Sequence, residues 1–318
     1  MILIAGIASE EPTAQVIESA DALGIDYLVF NQRDAGHYDL RTSLTANGLR
    51  AELCIGGQWI DLTTLDGLYA RLMPPETFPD VQVKGMALRL PPALHQRRQF
   101  INTLFAQLVD LLPIRVINRH EAMESNFSKP YQLAAIRAVG LGIPATLLTN
   151  QAGAVADFDT ERGPLIFKSI SSTRSIVKVL TDEYRDRLPN LTALPTQFQE
   201  QLRGHNIRVH VVSDALFAAA IDSTDVDYRY ASSGGGHTTM QPVLLPAAIE
   251  TACFALSKRL MLPLCGIDLF KTERDAYYCF EVNPSPGYTY FQHEAGLPIS
   301  DAIARYLATG SAVRQPVQ

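Results

Sequence analysis

The chain has 318 residues, 47% of them apolar and 19% charged, with a formal net charge of −6. That is the balance of a globular protein with core enough for two or three sub-domains, not of a disordered one. The acidic balance and the lack of any basic run exclude a nucleic-acid or anionic-membrane partner, so a phosphate site would have to be built locally.

The opening Met1-Ile2-Leu3-Ile4-Ala5 carries no charged lead-in, is too short for a signal segment, and reads as a first strand. No run approaches the ~18 apolar residues of a membrane span. Residues 1–113 read as a small α/β domain. Ile2 to Ala5 and Tyr27 to Phe30 are strands, and between them Thr13 to Leu23 has helical spacing and ends at Gly24. Arg50 to Ile55 and Gln58 to Asp61, joined by Gly56-Gly57, form a hairpin in which Trp59 is expected to pack. Gly67 to Leu72 is a further strand. Ala93 to Leu112 is a long helix with Phe100, Ile101, Leu104, Phe105, Leu108 and Val109 on one stripe. The alternation argues for a doubly wound sheet. The turn after the first strand, GIASEEPT, lacks the dinucleotide glycines, which disfavours a Rossmann oxidoreductase.

A second segment, 114–194, opens with a strand from Arg115 to Asn118. Ser128 caps a helix with Pro130 in its first turn; it runs to Val139 and stops at Gly140. A strand follows from Pro144 to Leu148. Lys129 at that helix N-terminus opposes the helix dipole and needs an anion nearby; a solvated surface lysine is the plain alternative. Pro164 to Ile170 is a short apolar strand interrupted by Lys168, and a lysine there is rarely buried unless paired. A phosphate oxygen would suit it as a point charge. The hydroxyl-rich Ser169-Ile170-Ser171-Ser172-Thr173-Arg174 is either an ordinary polar loop or one that closes over phosphates.

The third segment, 195–318, begins with a strand from Thr196 to Gln201. Strands from Ile207 to Val212 and Leu216 to Ile221 then turn at Asp214. Arg208 and Arg229 are surface ion-pair members or a clamp for phosphate or carboxylate. Gly234-Gly235-Gly236 makes a loop able to cradle an anion, without a following GKS or GKT. Pro246 to Leu260 is an amphipathic helix, and Asp301 to Leu307 belongs to a helix expected near the substrate mouth. The four cysteines show no CxxC pair and the seven histidines no ligand spacing, so buried free thiols and a cytoplasmic address are expected. No GxSxG nucleophile elbow occurs.

Residues 264–286, LCGIDLFKTERDAYYCFEVNPSP, read as a hairpin with a chemical face. Strand alternation turns Ile267, Leu269, Tyr278, Phe280 and Val282 to the core, and Asp268, Phe270, Cys279, Glu281 and Asn283 to the other side. With 273–276 as the loop, Asp268 lies opposite Glu281. Carboxylates paired across a ladder without a basic partner repel, so a cation should hold them. Hard oxygen ligands on a rigid sheet suit Mg2+. A hairpin with a merely wet polar face is the alternative; Phe270 and Cys279 on that face argue for a cleft. The proposal requires both carboxylates on one side of the sheet with no Lys or Arg lodged between them.

GIDLF followed by FEVNPSPG resembles the metal-binding signature of the ATP-grasp carboxylate–amine ligases. NRHEAMESNFSKPYQLAAIRAVGLGIPATLLTN and FQEQLRGHNIRVHVVSDALFAAAI are similar to the RimK-like branch, and within it to the microviridin-type maturases of ribosomal peptides. The resemblance implies an α/β ATP-grasp fold: a Rossmann-like pre-ATP-grasp domain over 1–113 and two lobes, 114–194 and 195–318, that sandwich ATP. It implies ATP phosphates on Lys129 and Lys168. Gln199, Glu200, Gln201 and Leu202 would lie around adenine, and Asn206 at the ribose. Arg208 and Arg229 would meet phosphate or acyl-phosphate, and Asp268, Glu281 and Asn283 would hold Mg2+, as two ions, with Mn2+ an alternative. The catalytic set is then Arg208, Arg229 and Lys168. The chain departs from the pattern at Asn206, often an acid in this branch, and in EVNPSPGY, where the maturases tend to read EINPNGQW. Implied partners are ATP, a carboxylate donor and an amine or hydroxyl acceptor, with a precursor peptide among the candidates; a homodimer is compatible. Competing readings are a free amino-acid or dipeptide ligase, a RimK-type tail-modifying ligase, and a nucleotide-binding regulator without turnover. The complete ligand set argues against the regulator.

Overall fold

A computed structural model describes residues 1–74, 77–78, 82–83, 86–87, 90–170, 177–223 and 238–313. Its N-terminal part is a parallel sheet in the order Tyr27–Asn31, Ile2–Gly6, Gly67–Arg71, Arg115–Ile117. The last strand lies beyond residue 113 yet pairs in register with Gly67–Arg71. Helix Glu11–Leu23 ends at Gly24 with φ 64°, the left-handed cap expected of glycine. Helix Pro92–Val109 buries Ile101, Phe105, Leu108 and Val109, with Phe105 stacked on Phe30 at 4.1 Å. Phe100 falls off this stripe and is 65% exposed. Buried Asn102 shares the inner face instead, donating to the Gln32 carbonyl at 3.0 Å and the Arg98 carbonyl at 2.9 Å.

The hairpin Gly48–Ile55/Gln58–Asp61 turns on Gly56 and Gly57, both at positive φ as a tight hairpin demands. A strand not foreseen, Asp39–Thr45, completes a three-stranded sheet. Trp59 does not pack into a core: it lies on the open face under the Arg41 guanidinium, 4.2 Å from the ring centre.

The middle of the chain forms an antiparallel sheet in the order Thr146–Thr149, Thr196–Glu200, Leu165–Ser169, Lys178–Val179. Its core gathers Val155, Leu165, Leu180 and Phe198. From Glu200 the chain passes directly into the second antiparallel sheet, ordered Thr238–Pro242, Ala215–Ser223, Gly204–Val212, Leu264–Thr272, Tyr277–Asn283. Both faces of this sheet are covered. Ile207, Val209, Ile267 and Leu269 pack on helices Lys129–Ala138 and Ala247–Arg259. On the other face Val212 and Leu264 meet Tyr288, Phe291 and Ile303, in a cluster that continues to Ile2, Ile4 and Val16 of the N-terminal part. Helix Ile299–Thr309, expected at the substrate mouth, is thus packed against the N-terminal helix and sheet. Its inner face is apolar (Ile299, Ala302, Ile303, Leu307) and has to be buried somewhere. All four cysteines are free and buried.

Candidate active site

Asp268 and Glu281 are direct cross-strand partners on the same side of the sheet. Two irregularities cancel to produce that pairing. The turn is one residue shorter than the 273–276 loop expected, since Lys271 pairs with Tyr277. A β-bulge then lets Leu269 pair with Cys279, leaving Phe280 as the extra residue. The bulge corrects the expected facing beyond Glu281. Cys279 turns into the core beside Ile267, Leu269 and Val282, while the Phe280 ring sits beside Phe270, centroids 5.4 Å apart. Burial pushes the Cys279 thiol well above its ordinary value, with the nearby Cys253, Asp268, Cys265 and Glu281 acting in the same direction.

The carboxylates are not without basic partners. Lys129 Nζ donates to Glu281 Oε2 at 3.2 Å and Lys168 Nζ to the same oxygen at 3.3 Å. Arg208 Nη1 donates to Asp268 Oδ1 at 2.6 Å. The expectation of an unpaired acidic couple is therefore corrected, and the requirement that the pair carry no Lys or Arg is not met: Lys129 and Lys168 sit on Glu281 and Arg208 on Asp268. The physical reason is that the cations predicted to hold phosphate converge on the acids predicted to hold metal. Among the described residues three cations, Lys129, Lys168 and Arg208, gather on the two carboxylates, and cations are what a polyphosphate requires.

Each cation reaches this point by local rules. Ser128 caps helix Lys129–Ala138, its Oγ accepting from Tyr131 N at 3.4 Å, with Pro130 in the first turn. Lys129 finds its anion in Glu281. The helix is docked by Gln132, 1% exposed, which binds both backbone groups of Val282: Nε2 donates to the carbonyl at 2.7 Å and Oε1 accepts from the N–H at 3.2 Å. That covers the edge of the Tyr277–Asn283 strand beside Glu281, and Cys279 N donates to Gly142 O at 2.8 Å on the same edge. Lys168 sits in the strand opposite Gln197, its amine turned to the neighbouring lobe.

Arg208 lies directly opposite Asp268 in the ladder and is 6% exposed. Its guanidinium lies over Gly266, where a Cβ would run into Nη2. Its Nε is 3.5 Å from His210 Nε2. Burial, and after it the Arg208 charge, holds the His210 imidazole well below its ordinary 6.5, so the ring is neutral. Asn283, two residues past Glu281, accepts from Ser285 N at its Oδ1, 2.9 Å away.

The residues expected around the base sit where the lobes join. Gln199 is 4% exposed and donates to Thr146 Oγ1 at 3.0 Å. Glu200 Oε1 accepts from Ala145 N at 2.8 Å, and the chain leaves this sheet through Gln201 and Leu202, where Gln201 N donates to the Pro164 carbonyl at 2.8 Å. Asn206 lies on the next sheet, paired with Phe270. Arg229 and the segments 171–174 and 232–237 lie outside the described residues. Sequence reasoning missed Gln132, Asn118, Arg71 and His210. Only the glutamine carried a signal, as a polar residue on the inner stripe of a predicted helix.

Among the described residues no group of three His, Cys, Asp or Glu could hold an ion. Asp268, Glu281 and the Asn283 amide all offer hard oxygens, and the two carboxylates lie beside Arg208, Lys129 and Lys168. They fit Mg2+, a metal that keeps phosphate and water oxygens in its shell rather than an all-protein cage.

Residues 127–307, more than half of the chain, match the RimK-like ATP-grasp domain. A probable alpha-L-glutamate ligase of Shewanella sp. (strain W3-18-1) is 21% identical over 252 residues, covering 74% of this chain and 83% of that one. Among solved structures, macrocyclase MdnC of Microcystis aeruginosa MRC, bound with precursor peptide MdnA, superposes with a TM-score of 0.75 at 23% identity, covering 96% of this chain and 99% of that one. The ATP-grasp ligase PsnB, complexed with a phosphomimetic variant of a minimal precursor, Mg and ADP, gives 0.75 at 22% identity, covering 96% and 97%. These likenesses establish the fold. With the domain match over the site itself, the chain belongs to the RimK-like ATP-grasp family: it is an ATP-dependent ligase that works with Mg2+.

Proposed function

We propose that the chain joins a carboxylate to an amine or hydroxyl within a ribosomal peptide or protein. The observation that carries this is the convergence of Lys129 and Lys168, from two elements of the middle lobe, on Glu281 of the C-terminal lobe. In this reading the two lysines would hold phosphate and Glu281 metal, and nucleotide would enter where they now touch. The three units are 1–113, 114–194 and 195–318, with Arg115–Ile117 tying the second to the N-terminal sheet.

A substrate carboxylate oxygen attacks the γ-phosphorus, the bond to the β-phosphate oxygen breaks, and ADP leaves. The amine or hydroxyl then attacks the acyl carbon, the bond to phosphate oxygen breaks, and phosphate leaves. Lys129 and Lys168 exchange Glu281 for phosphate oxygens and hold them in line. Gln199, Glu200, Gln201 and Leu202 border the base, with Asn206 at the ribose. Arg208, with Arg229, neutralises the charge that develops on the transferred group. Asp268, Glu281 and Asn283 hold Mg2+, which when bound neutralises and orients phosphate oxygens. No side-chain nucleophile takes part; positioning and electrostatics do the chemistry.

A peptide substrate is favoured by the fold relatives that bind precursors and by a cleft of about 530 Å3 whose wall mixes apolar side chains with Lys168, Lys178 and Arg187. Phe167, Leu180, Tyr184, Leu191 and Phe198 line that cleft, and it suits side chains of an extended chain. A RimK-type ligase adding residues to a protein tail is the second reading; the sequence relatives are named as probable alpha-L-glutamate ligases.

The test is ADP release with short precursor-like peptides against a panel of free amino acids and protein C-termini. Hydroxylamine should trap the activated carboxylate as a hydroxamate on the true donor. Glu281→Gln should lower ADP release about 100-fold or more in a chain that circular dichroism shows still folded, since the change also takes the anion from Lys129 and Lys168. Wild-type turnover in that variant would sink the site.

A further inference from the structure

Residues 284–286 follow Asn283 and, among the described residues, make no backbone–backbone hydrogen bond. Pro284 and Pro286 have no N–H to give, and Ser285 N is spent on the Asn283 side chain. Buried backbone groups need partners, and here they come from residues far away in the sequence. Asn118, 3% exposed, donates its Nδ2 to the Pro284 carbonyl at 2.6 Å and to the Leu264 carbonyl at 2.6 Å; its Oδ1 accepts from Leu264 N at 3.2 Å. Arg71, at the end of the Gly67–Arg71 strand, donates from Nη1 to Ser285 Oγ at 3.0 Å and to the Pro286 carbonyl at 3.3 Å. Arg71 is itself fixed, its Nε donating to Glu10 Oε1 at 2.9 Å. Just beyond, the buried Tyr288 hydroxyl donates to the Pro12 carbonyl at 2.6 Å.

We propose that Arg71 and Asn118 are positioning residues that clamp the Pro284–Pro286 turn and through it aim the Asn283 amide oxygen at the cation. The inference rests on the metal role given above to Asp268, Glu281 and Asn283. An amide oxygen has two lone pairs. Ser285 N takes one, so the turn decides where the other points. Among the described residues the local segment supplies only the bond from Ser285 N to the Asn283 amide, and the two clamps come from the N-terminal sheet and the link that leaves it. The N-terminal part therefore does more than bury apolar surface: it sets the direction of one ligand, as partners behind metal ligands do elsewhere.

The experiment is a Mn2+ titration of the purified full chain in the presence of ADP, following free Mn2+ by its electron paramagnetic resonance signal, with ADP affinity measured in chelator alongside. Arg71→Gln should weaken Mn2+ binding about 10- to 100-fold while metal-free ADP binding and the melting temperature hold. Arg71→Lys should recover part of the affinity. Ser285→Ala, a surface change that leaves the fold intact, should give a smaller loss in the same direction. It serves in place of Arg71→Gln should that variant not fold. Glu281→Gln separates the two levels. If it loses Mn2+ while the Arg71 and Ser285 variants bind like wild type, the clamp is wrong and the metal site stands. If it too binds like wild type, the site reading fails and the clamp with it.

Discussion

Gln132 does for the lysine helix what a neighbouring strand would do, offering a donor and an acceptor to the two backbone groups of Val282. Replacing it with methionine keeps the volume and leaves both groups buried and unpaired. That should cost about 1–3 kcal/mol in denaturant unfolding and raise the KM for ATP, since Lys129 rides on the same helix. His210 is neutral in the fold, while an unfolded histidine takes up its proton near 6.5. A group whose folded pKa is lowered costs nothing above the unfolded value and destabilises as the pH falls below it. Stability should therefore decline as the pH is lowered from about 6.5, and His210→Gln should flatten that part of the profile. An unchanged slope in that variant would assign the decline to other groups. Gly266 has to stay without a side chain. In Gly266→Ala the new Cβ meets Arg208 Nη2 and, at 2.9 Å, the Pro286 ring. The expected result is a loss of about 1–3 kcal/mol and a fall in ADP release larger than that loss explains.

Capping and turn chemistry were readable one element at a time, because they depend on residues within four positions of one another. Ser128, Pro130 and Gly140 bracket the lysine helix as written in the chain, and Gly56-Gly57 turns its hairpin. Ser128→Ala should cost about 0.5 kcal/mol, the low end for a cap, since the bond it removes is a long one at 3.4 Å; a thermal melt checks it. The metal hairpin shows where such local reading stops. Asp268 and Glu281 pair as expected, but through a shorter turn and a bulge at Phe280. The bulge leaves no mark in the sequence, since apolar residues occupy both sides of the strand there. Cys279 and Phe280 consequently exchanged faces, and Tyr278, expected in the core, pairs with Phe270 on the opposite side while Tyr277 packs inward.

Over the whole molecule one apolar cluster runs from Ile2 to Ala312, so the last helix is part of the first domain's core. Removing residues 299–318 should expose Ile2, Ile4 and Val16 and abolish cooperative unfolding in calorimetry, rather than merely trimming a tail. The thiols are sealed in the same way. Burial lifts Cys253 and Cys265 to about 12, and Cys279 lies well above its ordinary value. Ellman's reagent should find almost no reactive thiol in the native chain and four after denaturation.

The sequence by itself determined many of the elements, though not strand Asp39–Thr45 or helix Ala152–Arg162, and with them the α/β class, the two lysines, and a hairpin bearing Asp268, Glu281 and Asn283, because each is written in spacing and capping that act over a few residues. Tertiary structure alone decided that Lys129 and Lys168 share one oxygen of Glu281, and that Gln132, Asn118 and Arg71 tie that strand and its turn to distant parts of the chain. Those contacts join residues more than 100 positions apart. Which side chain meets which across such a distance is fixed by how the sheets pack, and packing leaves no periodic trace in the chain.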